Sequence, residues 1–323
     1  MTSAGDSITL VADIGGTNTR LALAQDTRVK TDTVLRYPNA EFDSFRHVAE
    51  TYLETQRQKC VGACVAIAGP VKDGCGALTN LGWSIDEPML RDLVNADNVG
   101  VFNDLQAQGY GLGNLTAGAV SHISGPEPEP AGTKLVIGVG TGFNIATVLE
   151  TPHGRIIPPA EAGHIALPTR SAEQRALVAS FEENHGFAAV EDMLSGRGFE
   201  RIYAHLSDGN SKTSSQIMTG FEDGSDPIAV KSAEMFVAML GTVAGDLSLV
   251  SLPFGGIYFA GGMARALSGH FNALQFDTHF HDKGRFAEFV ANFSIHVIED
   301  DYAALTGCAS YLAARQSRVG SNP

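Results

Sequence analysis

Apolar and polar positions divide the chain into short hydrophobic runs punctuated by glycine. Residues 7–14 (Ser-Ile-Thr-Leu-Val-Ala-Asp-Ile) form an apolar run that stops at Gly15-Gly16-Thr17-Asn18, and a second run, 20–24, follows at once. Two such runs around a Gly-Gly turn predict a β-hairpin. A helical pattern over 41–56 precedes an apolar strand at 61–68, closed by Gly69-Pro70. Residues 99–103 predict another short strand, with Asp104 at its C-terminal end and a helical pattern beyond it. The stretch 124–132 (Ser-Gly-Pro-Glu-Pro-Glu-Pro-Ala-Gly) reads as a stiff polar connector near a domain boundary.

Past that connector the opening pattern returns. An apolar run at 135–139 meets the turn Gly140-Thr141-Gly142, and a second run covers 145–149. Thr17 and Thr141 hold equivalent places, a weak internal repeat that suggests two related halves. Helical character is expected over 171–184 and 188–206, and a polar, loop-rich stretch over 207–227. Residues 228–250 predict a long apolar helix with Phe236, Leu240, Val243 and Leu247 on one face. A strand at 256–260 then runs into Gly261-Gly262 and a further helix. Alternating strands and helices indicate an α/β fold.

Composition narrows the function classes. The 323 residues, 44% hydrophobic, suffice for two packed domains and argue against disorder. The net charge of −14, with no Lys/Arg cluster, excludes a general nucleic-acid binder and disfavours an anionic membrane surface. No run of about 18 unbroken apolar residues is present, and residues 1–7 lack the basic start of a signal peptide, so a cytoplasmic protein is expected. Cys60, Cys64, Cys75 and Cys308 match neither a disulfide framework nor a zinc set; Cys60 and Cys64 read as small buried residues beside a strand. His279 and His281 read as surface histidines rather than metal ligands. Glycine is in excess, at 36 residues or about 11%, against a usual ~7%.

The chemistry rests on three constellations. The P-loop and dinucleotide fingerprints are absent. The two Gly/Thr hairpins offer another way to hold phosphate, because successive backbone N–H groups can point into one concavity and a Thr hydroxyl adds a donor. A lone hairpin of this kind is an ordinary turn; two at matched positions, the first preceded by Asp13, favour phosphate. Asp13 suits Mg²⁺ held through water, or is a satisfied carboxylate at a strand end. Asn103-Asp104, at the C-terminal end of a strand, either projects a general base into a ligand crevice or simply caps a helix. Glu161-Ala-Gly-His164, with Glu191 downstream, suits a ring of hydroxyls, or is a chance loop composition.

Taken together, the residues resemble a known family. Asp13-Ile-Gly-Gly-Thr-Asn-Thr-Arg20, Ala66-Ile-Ala-Gly-Pro-Val71 with Thr79-Asn80 and Trp83, Asn103-Asp104, Glu161-Ala-Gly-His164, Glu191-Asp-Met-Leu-Ser-Gly196, Ala260-Gly-Gly262 and Asp282-Lys-Gly-Arg-Phe286 stand in the order found in bacterial glucokinases. The likeness covers nearly the whole chain. It implies a two-domain actin/hexokinase-like (duplicated ribonuclease H-like) α/β fold with an interdomain cleft, in a cytoplasmic homodimer. The domains expected are 1–115 plus 303–320 (small) and 116–302 (large). The resemblance further implies that Asn103, Asp104, Glu161, His164 and Glu191 bind sugar hydroxyls, with Asp104 as catalytic base. Gly15, Gly16, Thr17 and Asn18, and Gly140, Thr141 and Gly142, would hold the phosphates of ATP, while Gly261 and Gly262 border adenosine and Asp13 anchors Mg²⁺.

The implied reaction is phosphoryl transfer from MgATP to the 6-hydroxyl of glucose, the step that opens glycolysis. A hexose kinase with another preferred sugar, or a non-catalytic sugar-binding regulator on the same fold, would share most of these motifs. One departure stands out. Family members commonly read Gly-Thr-Gly-x-Gly in the second turn, whereas Phe143-Asn144 follows Gly142 here. If that last position needs φ > 0, Asn is the least costly replacement. The zinc-binding cysteine cluster of the repressor/ORF/kinase group is absent.

Overall fold

The opening hairpin forms where the glycines place it. In the computed structural model, which describes residues 7–78, 81–116 and 118–319, β1 (Ile8–Ile14) pairs antiparallel with β2 (Asn18–Gln25). Thr79 and Asn80 of the motif set lie outside the described residues. β3 (Arg28–Val29) and β4 (Leu35–Pro38) both pair with β2. The helix α1 (Phe45–Gln56) starts at Ser44, whose hydroxyl accepts from the His47 amide, and stops at Arg57 in the left-handed region. β5 (Ala63–Ile67) returns parallel to β1.

A small antiparallel sheet follows, of β6 (Val71–Lys72), β7 (Cys75–Leu78) and β8 (Trp83–Asp86), and then α2 (Glu87–Val94). β9 (Val99–Asn103) lies parallel to β5 and leads directly into α3 (Asp104–Gly111). The main sheet is therefore ordered β3-β2-β1-β5-β9. Both of its faces are covered, which is why β1 reads as an unbroken apolar run rather than an alternating one. Leu10, Ala12 and Ile14 point to one side, against Phe45, Tyr52 and Leu90 of α1 and α2. Val11 points to the other, against Ala107 of α3 and Leu305, Cys308 and Leu312 near the C-terminus. Cys60 and Cys64 are buried, as expected.

The second unit repeats this plan. After β10 (Val120–Ser124), β11 (Lys134–Val139) and β12 (Phe143–Thr151) form an antiparallel hairpin around Gly140–Gly142. Past β13 (Gly154–Ile156) come α4 (Ala172–His185), α5 (Val190–Met193), α6 (Gly196–Leu206), α7 (Ser214–Glu222) and α8 (Pro227–Ser251). β14 (Ile257–Ala260) joins β11 in parallel. It is followed by α9 (Gly262–Ser268), α10 (Phe276–His281), α11 (Ala287–Val290) and β15 (Ile295–Ile298), which is parallel to β14. Strands run in the order β10-β15-β14-β11-β12. A hairpin followed by two parallel strands, β2-β1-β5-β9 in one unit and β12-β11-β14-β15 in the other, is the repeat that Thr17 and Thr141 hinted at.

The core of this unit is built on α8. Phe236, Leu240, Val243 and Leu247 are all buried, with Phe259, Phe276 and Phe280 in the same cluster. By length and composition α8 would cross a membrane, but 78% of its apolar window is buried inside the fold, the mark of a core helix.

Several boundaries differ from the expectation. The stretch 207–227 contains α7, because Thr213 and Gln216 form a capping box and Ile217 and Met218 are buried. The helical stretch 188–206 is two helices, interrupted where Ser195 caps α6. One unit comprises the described residues up to Ala119, Thr151–Pro159 and the described residues from Asp300, which carry α12 (Ala303–Val319); the other comprises Val120–Glu150 and Ala160–Glu299. The connector 124–132 does lie near a division, a few residues past Ala119/Val120, and belongs to the second unit, where the Glu129 amide donates to the Phe254 carbonyl at 2.8 Å. The expected single block 116–302 is interrupted by Thr151–Pro159. Arg155 fixes that segment in the first unit by donating from Nη1 to the carbonyls of Gly109, Tyr110 and Leu112 at 2.9, 2.8 and 2.6 Å.

Candidate active site

In the first unit, the C-terminal ends of three parallel strands lie side by side. Ile14 is in register with Ile67, and Ile67 with Asn103. Ligands of open α/β sheets bind outside such strand ends. Asp13 sits at the end of β1, its side chain 23% exposed, with Arg20 at 3.9 Å. Desolvation raises its pKa, and the guanidinium partly opposes that. The adjoining turn is closed by the Gly15 amide donating to the Asn18 carbonyl at 2.9 Å, and Gly16 and Thr17 are exposed.

Asn103 and Asp104 follow the end of β9. Asn103 caps α3: its Oδ1 accepts from the Leu105 amide at 3.0 Å, and Gln106 Oε1 accepts from its own amide at 3.1 Å. Its Nδ2 donates to the Gly69 carbonyl at 3.1 Å, tying the ends of β5 and β9 together. Asp104 is half-buried at the first position of α3 and accepts from the Leu105 amide at 2.9 Å. The helix-capping alternative is therefore realised by Asn103, and this leaves Asp104 out of the capping box.

The second unit brings together the other expected residues. The Gly140 amide donates to the Gly142 carbonyl at 2.9 Å, and the Gly196 amide, at the start of α6, donates to the Gly140 carbonyl at 2.8 Å. Thr141 is exposed. Gly261 and Gly262 lie against this turn: a Cβ on Gly140 would sit 3.8 Å from the Gly261 Cα and the Gly262 amide. Gly261 has φ +96°, and a Cβ there would lie 2.6 Å from the Val139 carbonyl, so this position demands glycine. Glu191, on α5, accepts from the Phe143 amide at 2.9 Å, and Arg197 lies 3.8 Å away. Gly163 packs so closely on the Phe143 carbonyl that no Cβ fits, which seats the turn Ala162–His164 beside the hairpin. Glu161 precedes that turn and His164 ends it, and both are exposed. Desolvation raises the Glu161 pKa, His164 opposes the rise and the Glu191 carboxylate adds to it.

Asn144 does not occupy the left-handed region that its replacement of glycine raised as a condition. It pairs with Gly138 inside β12 and is absent from the residues of positive φ. Sequence reasoning also missed Asn39. This buried residue donates from Nδ2 to the Gly15 carbonyl at 2.8 Å and accepts from the Thr19 hydroxyl at 2.7 Å, holding the Gly15–Asn18 turn from outside. It lies beyond the hairpin's own pattern, so no local signal marks it. Among the described residues no three His, Cys, Asp or Glu side chains form a metal-holding group, His279 and His281 included.

The two hairpin-based sheets, with acidic groups beside their glycine turns, are shared with solved sugar kinases of the actin/hexokinase-like fold. A crystal structure of a glucokinase from an Antarctic psychrotroph superposes with a TM-score of 0.83 at 27% identity, covering 95% of this chain and 99% of that one. The glucokinase of Saccharophagus degradans is 29% identical over 313 residues, 94% of this chain and 97% of its own. That of Erwinia tasmaniensis is 28% identical over 316 residues, 96% and 98% of the respective chains. The family model described as Glucokinase matches residues 10–315, and the chain belongs to the glucokinase family.

Proposed function

We propose that this protein transfers the γ-phosphoryl group of ATP to the 6-hydroxyl of glucose, giving glucose 6-phosphate and ADP. The observation that carries the reading is the grouping of Glu161, His164 and Glu191 around the Gly140–Gly142 turn, in a chain whose other unit presents Asp104 at a strand end. Carboxylates and an imidazole beside a turn rich in backbone N–H groups suit a polyhydroxylated acceptor and a phosphate donor together. Glu161, Glu191, His164 and Asn103 bind hydroxyls of the sugar. Asp104 accepts the proton of the 6-hydroxyl as its oxygen bonds to the γ-phosphorus and the bond to the β–γ bridging oxygen breaks. General-base help of this kind contributes roughly 10²–10⁴ in rate.

The turns Gly15–Asn18 and Gly140–Gly142, exposed at Gly16, Thr17 and Thr141, donate backbone N–H groups to phosphate oxygens, and Gly261-Gly262 borders the nucleoside. Such preorganised donors matter most in phosphoryl transfer, where the protein has little covalent work to do. An overall charge of −14 repels the nucleotide, so local donors must outweigh the global field. Asp13 fits a hard cation: a single partly exposed carboxylate beside a phosphate turn matches the way Mg²⁺ is held, by one or two carboxylates, water and substrate phosphates. Mg²⁺ bound there supplies charge neutralisation on the phosphates.

The protein acts as a cytoplasmic homodimer in this proposal, on the strength of the resemblance. Light scattering of the purified chain would test the dimer. A coupled assay across glucose, mannose and fructose tests the reaction. Glucose is expected to have the highest kcat/KM, and another hexose exceeding it would replace glucose as the substrate. Binding of glucose with no ADP formed would turn the reading to a sugar-binding regulator.

A further inference from the structure

Asn144 stands where the family commonly carries glycine, and its side chain is engaged on both sides. Its Nδ2 donates to the Ala160 carbonyl at 2.7 Å and to Glu161 Oε2 at 3.3 Å. Its Oδ1 accepts from the Ala162 amide at 3.0 Å and from the Ile145 amide at 2.8 Å. The amide group thus grips three consecutive residues, 160 to 162, of the loop that carries Glu161 and His164. The preceding residue, Phe143, donates its amide to Glu191 at 2.9 Å. The dipeptide after the Gly140–Gly142 turn therefore holds both carboxylates, one by a side chain and one by the main chain.

We infer that Asn144 is a positioning residue that sets Glu161 for the sugar and ties the sugar-binding loop to the phosphate turn. A glycine at this position offers no group that reaches Ala160, Glu161 or Ala162. Without the amide, an exposed Glu161 faces the Glu191 carboxylate, which His164 and the Arg197 guanidinium beside Glu191 offset in part. The loop then samples more conformers, and sugar affinity falls through the ordering it must supply on binding. Nucleotide contacts made by Gly140–Gly142 do not depend on this side chain. The inference rests on the reading of Glu161 as a sugar ligand.

The test compares wild type with Asn144→Gly and Asn144→Asp, each first checked by circular dichroism and thermal unfolding. Asn144→Gly is expected to raise the glucose KM and the calorimetric glucose Kd about tenfold, the loss of roughly one hydrogen bond to a charged group, with kcat and the ATP KM within about twofold. Hydrogen exchange at the Ala162 amide should become faster in the same variant, a readout that needs no activity. Asn144→Asp sets a carboxylate against Glu161, among His164 of the same loop, Glu191 of α5 and Arg197 of α6. Its glucose KM should exceed that of Asn144→Gly, because it loses the same Nδ2 donor and adds a like charge; a glucose KM at the wild-type value would overturn the positioning role. An unchanged glucose KM in Asn144→Gly, or an effect confined to kcat, overturns the positioning role. Unchanged exchange at Ala162 overturns the clamp itself. A wild-type protein that neither binds nor phosphorylates glucose refutes the functional reading instead, and the exchange experiment still decides the clamp.

Discussion

Replacing Asn39 by Ala isolates the support of the Gly15–Asn18 turn. The side chain is 1% exposed, and it satisfies two groups of the hairpin, the Gly15 carbonyl at 2.8 Å and the Thr19 hydroxyl at 2.7 Å. Thr19 is fully buried, so its hydroxyl would be left without water or partner, at about 1–3 kcal/mol. The Gly15 carbonyl is half-buried and regains water, so its loss is nearer that of an ordinary hydrogen bond, about 0.5–1.5 kcal/mol. Asn39→Ala should therefore destabilise the first unit by about 1.5–4.5 kcal/mol in urea denaturation followed by circular dichroism. If the turn holds ATP phosphates, the same variant should raise the ATP KM about tenfold, some 1.4 kcal/mol of lost preorganisation, and leave the glucose KM within about twofold. Adding Thr19→Val should recover part of the stability, since the stranded hydroxyl is then gone. A loss below about 0.5 kcal/mol, with no recovery in the double variant, would refute the reasoning about the buried pair. Lost stability with an unchanged ATP KM would separate this turn from the nucleotide.

Gly261→Ala should be destabilising by at least about 1–3 kcal/mol, because it combines a left-handed backbone with a Cβ 2.6 Å from the Val139 carbonyl; thermal unfolding checks this, and wild-type stability would refute it. His296 is 6% exposed beside His122 and Ser294, and burial pulls its pKa down to about 4. The unfolded chain binds this proton first, so the native state should lose up to about 3 kcal/mol as pH falls from 6.5 towards 4, and His296→Gln should flatten that slope. A wild-type stability profile flat over that window would contradict the assignment. The raised Glu161 pKa predicts that glucose KM climbs on acidification from a pH above the ordinary Glu range, and that Glu191→Gln moves this limb to lower pH, since Glu191 contributes to the rise. An unmoved acid limb would mean that the two carboxylates do not interact.

Local rules reached as far as local physics did. The two hairpins, the parallel strands after them and α8 were legible because apolar runs and glycine turns mark them directly. Conversely α7 was not, since a capped helix with few apolar residues looks like polar loop until Ile217 and Met218 find the core. The attachment of Thr151–Pro159 depends on three carbonyls that Arg155 meets only in the folded chain. The candidate site divides the same way. Glu161, His164, Glu191 and the Gly140–Gly142 turn were readable as chemistry, and the structure brings these to one end of the second sheet. Asn39 and Asn144 were not readable, because their value lies in partners that spacing does not reveal.

The most direct test of the account is the turnover of Asp104→Ala with glucose and MgATP, followed by ADP release. Asn103 and Gln106 supply the capping box of α3, so the variant should fold. Its kcat should fall by roughly 10²–10⁴ while calorimetric glucose binding stays within a few-fold of wild type. A kcat near the wild-type value would contradict the assignment of Asp104 as the base, and with it the proposed mechanism.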